Sequence, residues 1–204
     1  GIDYASGARV FHKVRAARIK EARQTTKRLR ALSRRGKQAA YVARSSILNG
    51  ALYGVGVSGL LDSHMQELRA LLHSCVVSKP AGRSATYDLS RHPGLDPAYL
   101  ALRQPVVLLA MALQLNWLGK PMIMQILQDS LVRKLTSVRH AAGPVAVAVI
   151  SLHRLGWHCP VVAKPCEWRS CQGYIIDLSS EAPRSIQYML DISVNKFLWH
   201  RSSK

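Results

Sequence analysis

Lysine and arginine recur every seven residues near the start of this chain. Lys13, Lys20, Lys27 and Arg34 form one row, and Arg23, Arg30 and Lys37 form a second beside it. A seven-residue step returns to nearly the same angle on a helix of 3.6 residues per turn. The apolar residues of the same segment (Phe11, Val14, Ala22, Leu29 and Leu32) recur at steps of three, seven or eight, so they gather on another side. The pattern predicts one long helix over about Ala8–Arg35, with an apolar face that docks and a basic face that does not. Gly36 is its expected C-cap.

Charge is concentrated there. Of the 204 residues, 29 are Lys or Arg and 11 are Asp or Glu, for a net charge of +18. Residues 1–44 hold 13 of those cations and 2 of the acids. Such local excess is most easily tolerated beside a polyanion. Each cation that reaches a phosphate releases condensed counterions, which makes binding salt-dependent. Aromatic residues nearby are few (Phe11 and Tyr41), which favours contact with the backbone over base stacking. The candidate nucleic-acid-binding residues are Lys13, Arg15, Lys20, Arg23, Lys27, Arg30, Arg34 and Lys37.

Hydrophobic residues make up 48% of the chain, enough to bury a core. A second helical run is expected over Lys37–Leu48. The glycines of Gly50–Gly59 suggest a close backbone approach. Ser63 and Gln66 read as a capping box opening a helix whose Met65, Leu68, Leu72 and Cys75 face inward. Pro80–Pro97 is rich in turn formers and reads as a linker. Beyond it, helices are expected from Pro97 to about Leu118, from Met122 to about Ser137, and from Gly143-Pro144 to about Gly156-Trp157. His158–Gln172 reads as irregular, Tyr174–Leu178 as the one convincing strand, and Ser179–Trp199 as a last helix with its start signals. The expected fold is mainly α: a basic helical subdomain over 1–79, a linker over 80–96 and a second helical subdomain over 97–204. At most a short strand is expected, near Tyr174–Leu178. Trp117, Trp157, Trp168 and Trp199 fall at or near helix ends and read as packing residues.

Several functions find little support. Ser45–Leu61 and Gln104–Gly119 are shorter than the roughly 20 apolar residues a spanning helix needs, so no membrane is expected. Cys159, Cys166 and Cys171 do not have the paired spacing of common zinc knuckles, and no metal or cofactor is expected. The acidic residues do not cluster as a two-metal site requires. Phosphate-loop, nucleophile-elbow and HExxH motifs are absent. The N-terminus carries no signal peptide, and four cysteines suit free thiols in a reducing, intracellular setting, nuclear or cytoplasmic. The chain opens at Gly1 without a methionine, which suggests a piece of a longer polypeptide.

The order of features resembles the region downstream of the catalytic palm in non-LTR (LINE-type) retrotransposon reverse transcriptases. Gly1-Ile2-Asp3-Tyr4 resembles the strand end that closes the palm. The arginine-rich stretch Arg9–Arg35 is similar to the helix that follows. Ala51-Leu52-Tyr53-Gly54, the helix pattern Asp62–Arg69, Gly143-Pro144 with Leu155-Gly156-Trp157, and Gly173 with Asp177-Leu178 then occur in matching order. The resemblance implies a thumb and post-thumb region that grips the backbone of RNA or an RNA–DNA hybrid. The family's Tyr-x-Asp-Asp signature is not in this sequence and would lie upstream of Gly1, so no catalytic residue carries over, and ribonuclease H motifs are not visible. Two rival readings are a structural RNA-binding component of a ribonucleoprotein and a helical interaction protein for an acidic partner.

Overall fold

The computed structural model describes residues 13–31, 37–77, 79–92, 94–117 and 119–202. Among them the fold is mainly α. The basic helix α1 spans Lys13–Leu29. α2 (Lys37–Val42) runs through a π-helical stretch, Ala43–Leu48, into α3 (Asn49–Leu52). The short α4 (Val55–Ser58) and the longer α5 (Asp62–Val76) follow. α6 covers Ala85–Ser90 and α7 covers Pro97–Gln114. α8 (Lys120–Val132), α9 (Pro144–Arg154) and α10 (Pro183–Ser202) build the second half with α7.

α9 is the centre. Val145 through Leu152 are all buried, so this helix is covered on every side, as an apolar helix without a polar face must be. Gly143 at φ 97° and Pro144 at the first turn start it where the sequence indicated. It packs on α7, α8 and α4. α7 in turn meets α10, α4 and α5, and α5 carries α1 on its other side.

The glycines at 50–59 do allow a close approach. A Cβ on Gly56 would run into Leu108 of α7, and one on Gly59 would lie 2.9 Å from Val138 Cγ1 and Val147 Cγ1. The expected inward stripe of α5 is in place: Met65, Leu68, Leu72 and Cys75 are buried.

Four expectations need correction. His158–Gln172 is not wholly irregular: β1 (Trp157–His158) and β2 (Glu167–Ser170) pair antiparallel, and β3 (Ile175–Asp177) adds to β2, with Trp157 opposite Ser170 and Trp168 opposite Ile176. This small sheet buries Trp157 and Trp168, whereas Trp117 and Trp199 are exposed. The capping box does not form. Ser63 lies inside α5, and Leu61 occupies the N-cap without a side-chain bond. Residues 80–96, expected as a linker, contain α6 and bury Thr86, Asp88, Leu89, Leu95 and Asp96. One cluster of buried apolar side chains runs from Ile19 to Leu198 across that segment.

Candidate nucleic-acid interface

α1 docks through Arg15, Ile19, Ala22, Thr26 and Leu29, which are all buried. Steps of four, three, four and three keep them on one stripe. Lys13, Lys20 and Lys27 are exposed and fall on the opposite side at 3.6 residues per turn. Seven residues advance about 10 Å along the axis, so the three ammonium groups span roughly 20 Å. None of the three makes an ion pair among the described residues. Arg28 is exposed beside Lys27, and Glu21 is the acid of this helix.

Arg15 is corrected from the expected set. Only 2% of it is exposed. Its guanidinium donates to the Ala51 carbonyl and, at 2.9 Å, to Ser58 Oγ. It therefore ties α1 to α3 and α4 and offers nothing to an outside phosphate. A cation on the inward stripe stays inside because acceptors such as these meet it.

Arg23 and Arg30 are exposed on the flank. Arg23 is hydrogen-bonded and ion-paired to Glu67 of α5, which raises its pKa above the ordinary arginine value. To hold a phosphate it would exchange one anion for another. Arg34 lies outside the described residues, as do Phe11 and Leu32. Lys37 begins α2, and its side chain also lies outside what is described.

The structure adds a pair that sequence reasoning passed over. Arg18 donates to the Tyr53 carbonyl at 2.7 Å, and its guanidinium carbon sits 5.0 Å from the centroid of the Tyr53 ring. Tyr53 is 61% exposed. Tyr53-Gly54 entered the sequence reading only within the family resemblance, and its nearness to α1 is a tertiary fact.

Metal chemistry gains no platform: among the described residues no three His, Cys, Asp or Glu side chains gather. The thiols occupy different settings. Cys75 is buried behind α1, where loss of water raises its pKa. Cys166 is buried 3.2 Å from Met124 Sδ, and burial pushes its thiol up to about 11. Cys159 is half-buried and Cys171 exposed. No helix among the described residues is long and apolar enough to cross a membrane. Comparison with protein-family models, with curated proteins and with solved structures finds no match for this chain.

Proposed function

We propose that this chain holds RNA or an RNA–DNA hybrid by its backbone, as the thumb and post-thumb region of a retroelement reverse transcriptase would, and performs no chemistry itself. The observation that carries the reading is the outward face of α1. Lys13, Lys20 and Lys27 stand in a row opposite the buried stripe, with Arg28 beside them and Arg23 and Arg30 on the flank. Charged rows of one sign contact phosphates without reading sequence. The helix itself is fixed from behind, so the row is presented on a rigid support rather than on a loop. The family assignment rests on the sequence resemblance, and the electrostatic reading stands apart from it.

The test is binding of the full chain to unrelated RNA–DNA hybrids over a salt series. About six phosphate contacts give a slope on the order of −4 to −5 in log K against log salt, with little dependence on sequence. A flat salt response, or strong preference for one sequence, would overturn the reading. Tighter binding to an acidic protein than to any nucleic acid would favour the interaction-protein alternative.

A further inference from the structure

An open cleft of about 610 Å³ lies between the end of α9, the β2–β3 turn and the last turns of α10. That size is within the range of about 300–1,000 Å³ typical of small-molecule sites. Ser193, Lys196, Phe197 and His200 line it from α10. Steps of three, one and three put them on one stripe of that helix. Leu155 and Phe197 supply apolar wall. Lys196 and Arg154 supply positive charge, His200 adds an imidazole, and Cys171 forms part of the opposite side, with Lys196 Nζ 3.9 Å from its sulfur.

The cleft is joined to α1 through residues 58–62. Arg15 of α1 reaches Ser58. Arg154 donates to the Leu60 carbonyl at 3.2 Å and pairs with Asp62, and Arg201 lies 3.7 Å from the same carboxylate. The N-terminal end of α1 and the cationic end of α10 thus flank one short segment.

We propose that the cleft takes one unpaired nucleotide of the bound nucleic acid, its base against Phe197 and Leu155 and its phosphate toward Lys196 and His200. The inference rests on the nucleic-acid reading above. A flat, weakly polar base and an attached anion match an apolar wall edged by cations, since every base has a stacking face and no hydrogen-bond code is required. A paired base could not enter, because its face is covered by its neighbours. The cleft therefore distinguishes a single-stranded overhang from paired duplex.

Exposed Cys171 on the wall gives a direct readout. The full chain is treated with iodoacetamide alone, with adenosine monophosphate, with inorganic phosphate, with a blunt RNA–DNA hybrid, and with the same hybrid carrying a single-stranded overhang. Labelling of each cysteine is followed by peptide mass spectrometry. Adenosine monophosphate and the overhang should slow Cys171 labelling and leave Cys159 unchanged. The overhang hybrid should bind about five-fold tighter than the blunt one, the low end of what one stacked base contributes. Lys196→Gln, at an exposed position, and Phe197→Leu, which keeps an apolar packing residue, should each remove that gain while blunt binding stays. Equal protection by inorganic phosphate would overturn the base-binding part. Unchanged Cys171 labelling and equal affinity for the two hybrids would overturn the whole inference while leaving salt-dependent blunt binding intact. Loss of blunt binding itself would instead overturn the reading of α1, and adenosine monophosphate protection would still judge the cleft.

Discussion

Arg69 Nε donates to Asp96 Oδ2 at 3.0 Å, with 8% and 4% of the two side chains exposed. Arg69 also donates to Thr86 Oγ1 at 2.9 Å. The other oxygen of Asp96 accepts from the Ala98 backbone N–H at 3.0 Å and so caps α7. One carboxylate thereby starts α7, neutralises a cation on α5, and helps fix α6 between them. This is why residues 80–96 are packed rather than free, and why the two expected halves share a core.

Removing that carboxylate should be costly. Asp96→Ala leaves Arg69 charged and buried without its anion, at a cost of about 3–5 kcal/mol, and also removes a cap. Asp96→Asn keeps an acceptor for Ala98 but not the charge, so it should fall between Ala and the parent. The check is urea unfolding at neutral pH. A midpoint for Asp96→Ala within error of the parent would show that the pair contributes little.

Acid should loosen the same region through Asp88. Arg83 Nε and Nη2 donate to its two oxygens at 3.0 and 2.6 Å, and His73 Nε2 lies 2.8 Å from Oδ2. The Arg83 guanidinium is the main cause that holds this carboxyl at about 2, below the ordinary 3.8. A group whose folded pKa is depressed stabilises the fold above its unfolded pKa and loses that contribution as pH falls through the folded one. The window is thus about pH 4 to 2. Asp96 runs the other way, since burial raises its pKa, and its protonation comes earlier on acidification. With Arg83 half exposed, the Asp88 contribution is at most about 2 kcal/mol. Asp88→Asn should lower the melting temperature at pH 7 and flatten its fall between pH 4 and 2. An unchanged slope would assign the acid sensitivity to other carboxylates.

Gly59 should not accept a side chain. Its φ of 67° with ψ of −172° is a backbone region that only glycine occupies readily. The two valine methyls at 2.9 Å from an added Cβ belong to the 3-10 turn Val138–His140 and to α9, which are both packed. Strain and crowding act together, and Gly59→Ala should cost at least about 2 kcal/mol. By contrast Gly50, with open space at its Cβ and helical backbone, should gain or lose little on substitution by alanine. Thermal melts of the two variants distinguish them, and equal melting temperatures would contradict the packing at residue 59.

The larger helices were legible because their signals are local. Asp96-Pro97 and Gly143-Pro144 mark starts, and Met65, Leu68, Leu72 and Cys75 recur at helical spacing. β3 falls inside the expected strand Tyr174–Leu178, whereas β1 and β2 were not legible, because β1 has two residues and β2 four, too few for alternation to show. Within α1, the basic row could be read from its seven-residue step. Arg15 could not be separated from it by residue type. The signal was the stripe it shares with Ile19, Ala22, Thr26 and Leu29, but what keeps an arginine there is the Ala51 carbonyl and the Ser58 hydroxyl, brought to it by tertiary folding. The cleft and the Arg18–Tyr53 pair depend likewise on contacts between distant segments.

That distinction gives the most discriminating experiment on α1. Changing Lys13, Lys20 and Lys27 together to Gln removes three exposed charges and keeps similar helix propensity. Helicity and melting should stay near the parent, and relief of like-charge repulsion could only help the fold. The salt slope for hybrid binding should shrink by up to about 3 units, since each phosphate contact contributes nearly one. Arg15→Ala should do the opposite. It strips a buried carbonyl and a hydroxyl of their donor and empties space in the core, for a cost of about 2–4 kcal/mol. Its binding, measured at a temperature where the variant remains folded, should keep the parent's salt slope, because Arg15 never faced the phosphates. Circular-dichroism melts and hybrid binding across salt, on both variants, decide the matter. If the triple Gln variant binds with the parent's slope, the outward row of α1 is not the gripping surface. If Arg15→Ala lowers the slope while melting normally, Arg15 leaves the core to bind, and its buried bonds are not what hold α1 in place.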